Sequence, residues 1–212
     1  KCPLKQSWNR ARPCNSLCNV HLENPKLATV VALACWSRSI ASCQAAIILG
    51  RKGMGVDALT LLRSAFESLF YCAALLRDQS LLKRLKDQDE YERLKQAKAM
   101  FRHQQTMDDL TPANKAALET LATSTSLPGG SISAFDCAKL AGLEGLYHGL
   151  YRTLSLVAAH SSLTTAGQAF GETISDLRFG QTDTHLKDVF ENARDCLAIG
   201  NAFVSEALKP ID

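Results

Sequence analysis

A chain of 212 residues with 46% hydrophobic content can bury one sizeable core, and its length favours a single domain. A formal net charge of +3 is far from the strongly basic balance that would by itself point to nucleic acid. The chain has no Walker-type loop, GxGxxG, GxSxG or HExxH, which removes the commonest NTPase, dehydrogenase, hydrolase and metalloprotease readings, and nothing in it calls for a cofactor.

Residues 1–23 form a basic, Cys-containing arm: Lys1, Lys5, Arg10 and Arg12 fall in a stretch without acids. The first fourteen residues carry charges and prolines where a signal peptide would have an apolar run. Cys14, Cys18 and His21 could offer three zinc ligands, but no fourth is evident, so the expectation is free thiols and no metal site. Eight cysteines without CxxC spacing, most of them single residues inside helical patterns, read as small buried hydrophobes in a reducing cytoplasm.

The single domain then runs over 24–212. Asn24-Pro25 opens a helix, with Asn as cap and Pro at the first helical position, and apolar periodicity carries it from Leu27 to about Leu49. Ser37, Arg38, Ser39, Ser42 and Gln44 interrupt this stretch, so it reads as a core helix and not a membrane span. Gly50, Gly53 and Gly55 end it, and a second apolar helix follows from Val56 to Arg77. Ser80 caps a third, charge-dense helix from Leu81 to about Met107, whose interleaved Asp87, Asp89, Glu90 and Glu92 give it the look of a solvated face. Thr111-Pro112 opens a short Ala-rich helix, Ser124 to Ser131 is a loop, and Ser133 with Asp136 forms a capping box for Ala134 to Leu140. A helix over Leu143 to Ala159, an ambiguous Gly-broken stretch, and an amphipathic helix from His185 to Leu208 complete the chain. Strict alternation is absent throughout, so the fold class is all-α: an irregular antiparallel helical bundle of four long helices plus shorter ones.

Two features could carry chemistry. Arg63 and Glu67 lie one turn apart on the same side as Val56, Leu59, Phe66 and Phe70, which places both charges near the core. Either they neutralise each other there, or Glu67 holds Arg63 to meet an anionic ligand such as a phosphate, with Tyr71 one turn along. The later helix puts His148, Tyr151, Arg152 and Ser155 on one side and Leu150, Leu154 and Val157 on the other, and ends at His160. There the histidine can cap the last carbonyls, or act as general acid or base.

A helix carrying Leu62-Arg63-Ser64-x-x-Glu67 after a Gly-rich turn, then Tyr151-Arg152-x-x-Ser155 leading to His160-Ser161, resembles an uncharacterised bacterial helical family of unknown function, over roughly Leu27 to Ser162. More distantly the arrangement is similar to the HEPN helical superfamily, several members of which are metal-independent ribonucleases of toxin and antiviral systems, usually with the site at a homodimer seam. Their motif is an arginine followed after four to six residues by a histidine. Arg178 and His185 have six residues between them, though Phe179 stands where that family prefers a polar residue; Arg152 and His160 have seven. In that chemistry the histidine shuttles a proton as the ribose 2′-hydroxyl attacks phosphorus, and the arginine stabilises the developing charge.

Two functions of different kinds follow as expectations. The first is a binding or regulatory module in which Arg63, Glu67, Tyr71, Tyr151 and Ser155, with Arg152 and His160 nearby, line a pocket for an anionic or nucleotide-like ligand. The second is a HEPN-like ribonuclease acting on RNA, with Arg152 and His160, or Arg178 and His185, as the working pair. A homodimer through the apolar first and last helices fits either.

Overall fold

The computed structural model describes residues 26–123, 132–159, 163–167, 169–171, 173, 175–177 and 185–209. Its helices in chain order are α1 (Leu27–Arg51), α2 (Gly55–Arg77), α3 (Leu81–Phe101), α4 (Gln104–Asp108), α5 (Pro112–Ala122), α6 (Ala134–Ala141), α7 (Glu144–Leu146), α8 (Arg152–Leu154), α9 (Leu163–Gly167) and α10 (Leu186–Ala207). Two π-helical turns, Tyr147–Tyr151 and Ser155–Ala159, join α7 and α8 into one rod over 144–159. The protein is all-α, and the four long helices are α1, α2, α3 and α10. Among the described residues the nearest approach to a sheet is one isolated bridge between Phe170 and Leu177.

Apolar residues line α2 nearly all round, and a helix of that kind has to be covered on every side. Leu59, Leu62, Phe66, Leu69, Phe70 and Leu75 are buried, and α1, α10, α6 and the 144–159 rod pack about them. The face that α1 turns inward is built of small residues, Ala28, Ala32, Ser39, Cys43 and Ala46, with Trp36 among them, so the backbones approach closely. Gly200 of α10 is in contact with the Trp36 ring, and a Cβ there would overlap it; one at Gly50 would meet Val189 at 3.0 Å. By length and composition α1 and α2 could each cross a membrane, but 61% of the apolar window of α2 is already inside this core.

One fully buried hydroxyl is satisfied where three helices meet. The Ser39 hydroxyl donates to the Ala65 carbonyl at 2.9 Å and is 3.4 Å from the Cys196 sulfur, tying together α1, α2 and α10. Cys43, Cys72, Cys137 and Cys196 are buried free thiols and Cys35 is half-buried. Burial pushes Cys72 and Cys137 up to about 12, the behaviour of inert packing residues.

Several boundaries differ from the sequence expectation. Lys26 stands at the start of α1 without a side-chain cap bond, while Asn24 and Pro25 lie outside the described residues. Gly50 is inside α1, and the turn comes at Gly53, whose φ of +77° is open to glycine. Ser80 does not cap α3: it has helical dihedrals, and its N–H and hydroxyl both donate to Asp78 Oδ1, an alternative side-chain turn. α3 stops at Phe101, where the His103 N–H tightens to the Met100 carbonyl, and α4 resumes after it. Thr111 and Ser133 cap as the sequence implies, the latter in a full capping box with Asp136. The expected loop over 124–131 lies outside the described residues.

α3 packs chiefly on α5 and only slightly on α2, so α3 to α5 form an arm beside the bundle.

Candidate functional site

Arg63 projects from α2 into the seam between α2 and the 144–159 rod. Its Nη1 donates to Glu67 Oε2 at 2.9 Å, its Nη2 to the Tyr151 hydroxyl at 2.7 Å and its Nε to Ser155 Oγ at 3.1 Å. The guanidinium also lies over the Tyr151 ring, with Cζ 4.9 Å from the centroid. Ser155 in turn donates to the Tyr151 carbonyl at 2.9 Å. The charged side chains are not sealed in the core: those of Arg63 and Glu67 are 25% and 33% exposed, and the ion pair forms a lip of the bundle. The planar fork of arginine supplies five N–H donors in fixed directions, and three are aimed at side-chain oxygens here.

The rod is shaped by its own hydroxyls. Thr153 Oγ1 donates to the Gly149 carbonyl at 2.6 Å and Ser155 Oγ to that of Tyr151, so side chains take acceptors that α-type N–H bonds would use. The Arg152 N–H reaches back five residues to Tyr147, the π pattern. From α2, Thr60 donates to the Ala158 carbonyl at 3.0 Å and pins the second π turn.

This geometry corrects the expectation that His148, Tyr151, Arg152 and Ser155 share one side. Tyr151 is buried and Ser155 half-buried, beside Leu154, whereas His148 and Arg152 are exposed. The wider π turns change the register on which the four-residue argument depended. Arg152 therefore does not join the Arg63 cluster. His160, Arg178 and the group Cys14, Cys18 and His21 lie outside the described residues. His185 precedes α10 with a φ of +70°, and its Nδ1 is 3.2 Å from Asp188 Oδ2.

Around the seam the aromatic rings form a continuous cluster that no spacing rule had revealed. Tyr147 stacks on Tyr151 at 5.2 Å, Phe70 meets both, and Phe135 of α6 lies 5.1 Å from Tyr147 and 5.3 Å from His148. Burial first, then the Glu67 charge, pushes the Tyr151 phenol up to about 12 against the pull of Arg63. Tyr71, half-buried one turn beyond Glu67, is also held up at about 12, first by burial. Both are therefore neutral hydrogen-bonding groups at physiological pH. Among the described residues no group of three or more His, Cys, Asp or Glu could hold a metal ion.

An all-helical bundle with an arginine-centred polar seam is the class of protein that fold and site define. The chain belongs to a family of unknown function, DUF5677, whose model matches residues 29–176. That span includes Arg63, Glu67, Tyr71, Tyr151, Arg152, Ser155 and His160 and ends before Arg178, His185 and α10. No curated protein and no solved structure matches the chain.

Proposed function

We propose that the protein is a helical binding or regulatory module whose Arg63 seam takes an anionic, nucleotide-like ligand. The observation that carries this reading is the orientation of Arg63 by partners from two helices at a partly open edge, beside π turns of the kind that recur at functional sites. An incoming phosphate would displace the Glu67 carboxylate from Nη1 while Tyr151 and Ser155 keep the guanidinium aimed, and the half-exposed rings of Tyr147 and Phe135 offer a surface for a flat ring. Titration calorimetry with pyrophosphate and with nucleoside diphosphates tests it. Binding should be lost in Arg63→Lys, which keeps the charge without the fork, and strengthened in Glu67→Gln, which removes the competing carboxylate. Affinity unchanged by both substitutions would refute the proposal.

A HEPN-like metal-independent ribonuclease is the second reading, supported by the solvent-facing Arg152 one short segment before His160. Cleavage of labelled single-stranded RNA in EDTA, lost in His160→Ala or His185→Ala at unchanged helicity, is its expected signature. Both readings place the chain in the cytoplasm of a bacterial cell, consistent with the free thiols. Both also allow a homodimer, for which the exposed Leu27, Val30 and Ile48 of α1 are the candidate surface and sedimentation the check.

A further inference from the structure

We propose that the carboxyl-terminal half of α3 is a docking ridge for single-stranded nucleic acid, independent of the Arg63 seam. α3 divides in charge along its length. Its acids end at Glu92, and the first half neutralises itself through Lys83 with Asp87 at 3.0 Å and Arg93 with Asp89 at 2.8 Å. From 93 to 107 the chain has no carboxylate but carries Arg93, Lys95, Lys98 and Arg102. Tyr91, Lys95, Lys98 and Arg102 follow one another at intervals of four, three and four residues, which aligns them on one face of the helix. Together with Leu94 and Ala99 they line an open groove of about 360 Å³. Lys95 has Glu92 only at 3.6 Å, and among the described residues no carboxylate bridges to Lys98 or Arg102.

The helix dipole accounts for cations in the last turn alone, and so not for Lys95 or for an aromatic ring in the same row. Along the axis the three cations are spaced by ~4.5 and ~6 Å, the scale of the step between neighbouring phosphates of one strand. Tyr91, 40% exposed, closes the row where a base could stack. A single strand fits this arrangement better than a duplex, because its bases are unpaired and free to reach the ring. The arm stands off the bundle, which leaves the ridge accessible.

Fluorescence anisotropy with labelled oligo(U) and oligo(dT) at low salt tests the proposal on the full chain. Three phosphate contacts give a slope of log K against log salt of about −2. The triple variant Lys95→Gln, Lys98→Gln, Arg102→Gln should weaken binding about tenfold or more and flatten that slope, whereas Tyr91→Ala should weaken binding and leave the slope intact. The single variant Lys95→Gln, at an exposed position, gives the same reading in smaller measure should the triple lose helicity. Absence of binding, affinity and slope unaltered in the variants, or adhesion to phosphatidylserine vesicles without binding of either oligonucleotide would each overturn it.

Discussion

Replacing Arg63 by Met keeps an unbranched apolar stem in the seam and removes only the fork, so the resulting loss of stability reports the fork itself. Two neutral acceptors lose a donor, the Tyr151 hydroxyl and Ser155 Oγ, each worth about 1 kcal/mol net. Ser155 still has the Tyr151 carbonyl as its partner. The Glu67 carboxylate loses its counter-charge, but at 33% exposure it can rehydrate, and its share is about 0.5 kcal/mol. The total is about 2–3 kcal/mol, a fall in Tm of roughly 4–12 °C for a chain of this length. Urea unfolding followed by circular dichroism measures it, and a double-mutant cycle with Tyr151→Phe should return a coupling of about 1 kcal/mol. A loss below about 0.5 kcal/mol, or no coupling with Tyr151, would show that the Arg63 contacts carry no energy and that α2 and the rod are held by apolar packing and the Thr60 bond to the Ala158 carbonyl.

At high pH the sign is fixed by the two held-up phenols. Tyr71 and Tyr151 ionise near 12 in the folded chain against 10 when unfolded, so their contribution is intact below pH 10 and is lost as pH rises from 10 to 12; phenolate absorbance should show a late component that shrinks in Tyr151→Phe. Gly200→Ala should cost about 1–3 kcal/mol by forcing α10 away from Trp36, and Trp36→Leu in the same chain should recover part of it; equal melting of Gly200→Ala and the native protein would refute that close approach. Ser133→Ala, which removes half of the capping box on α6, should cost about 1 kcal/mol by thermal melting, with Ser133→Asp restoring most of it.

How much of this could be read beforehand varies with the physical source of each feature. Apolar periodicity located α1, α2 and α10 to within about two residues, because burial decides those helices. Arg63, Glu67, Tyr151 and Ser155 were legible as one polar cluster, since a charge inside an apolar stripe requires partners and hydroxyls on a facing helix are natural ones. What four-residue spacing misassigned was the company of Tyr151: His148 and Arg152 point to solvent because hydroxyl-to-carbonyl bonds widen the rod, a local effect with no signal in hydrophobic pattern. The ring cluster was hidden for another reason. Phe135 reaches Tyr147 from a separate helix, and sequence distance says nothing about such a meeting. Ser80 failed as a cap because Asp78, two residues before it, offers the backbone a competing acceptor.

The two π turns make the rod tolerant of a change in chain length in a way its neighbours are not. Each turn holds roughly one residue more than an α turn would. Deleting a single residue from 147–151 would let the backbone revert to ordinary helix without breaking it, and because the same turn is then made with one residue fewer, all that follows keeps nearly its present facing. Ser155 would then stay on the side of the guanidinium of α2, whereas the same deletion in an ordinary α-helix would turn every following side chain by ~100°. For this segment the loss of one residue is therefore absorbed and not a lesion, a route by which related chains could differ in length while the same groups are shown to Arg63.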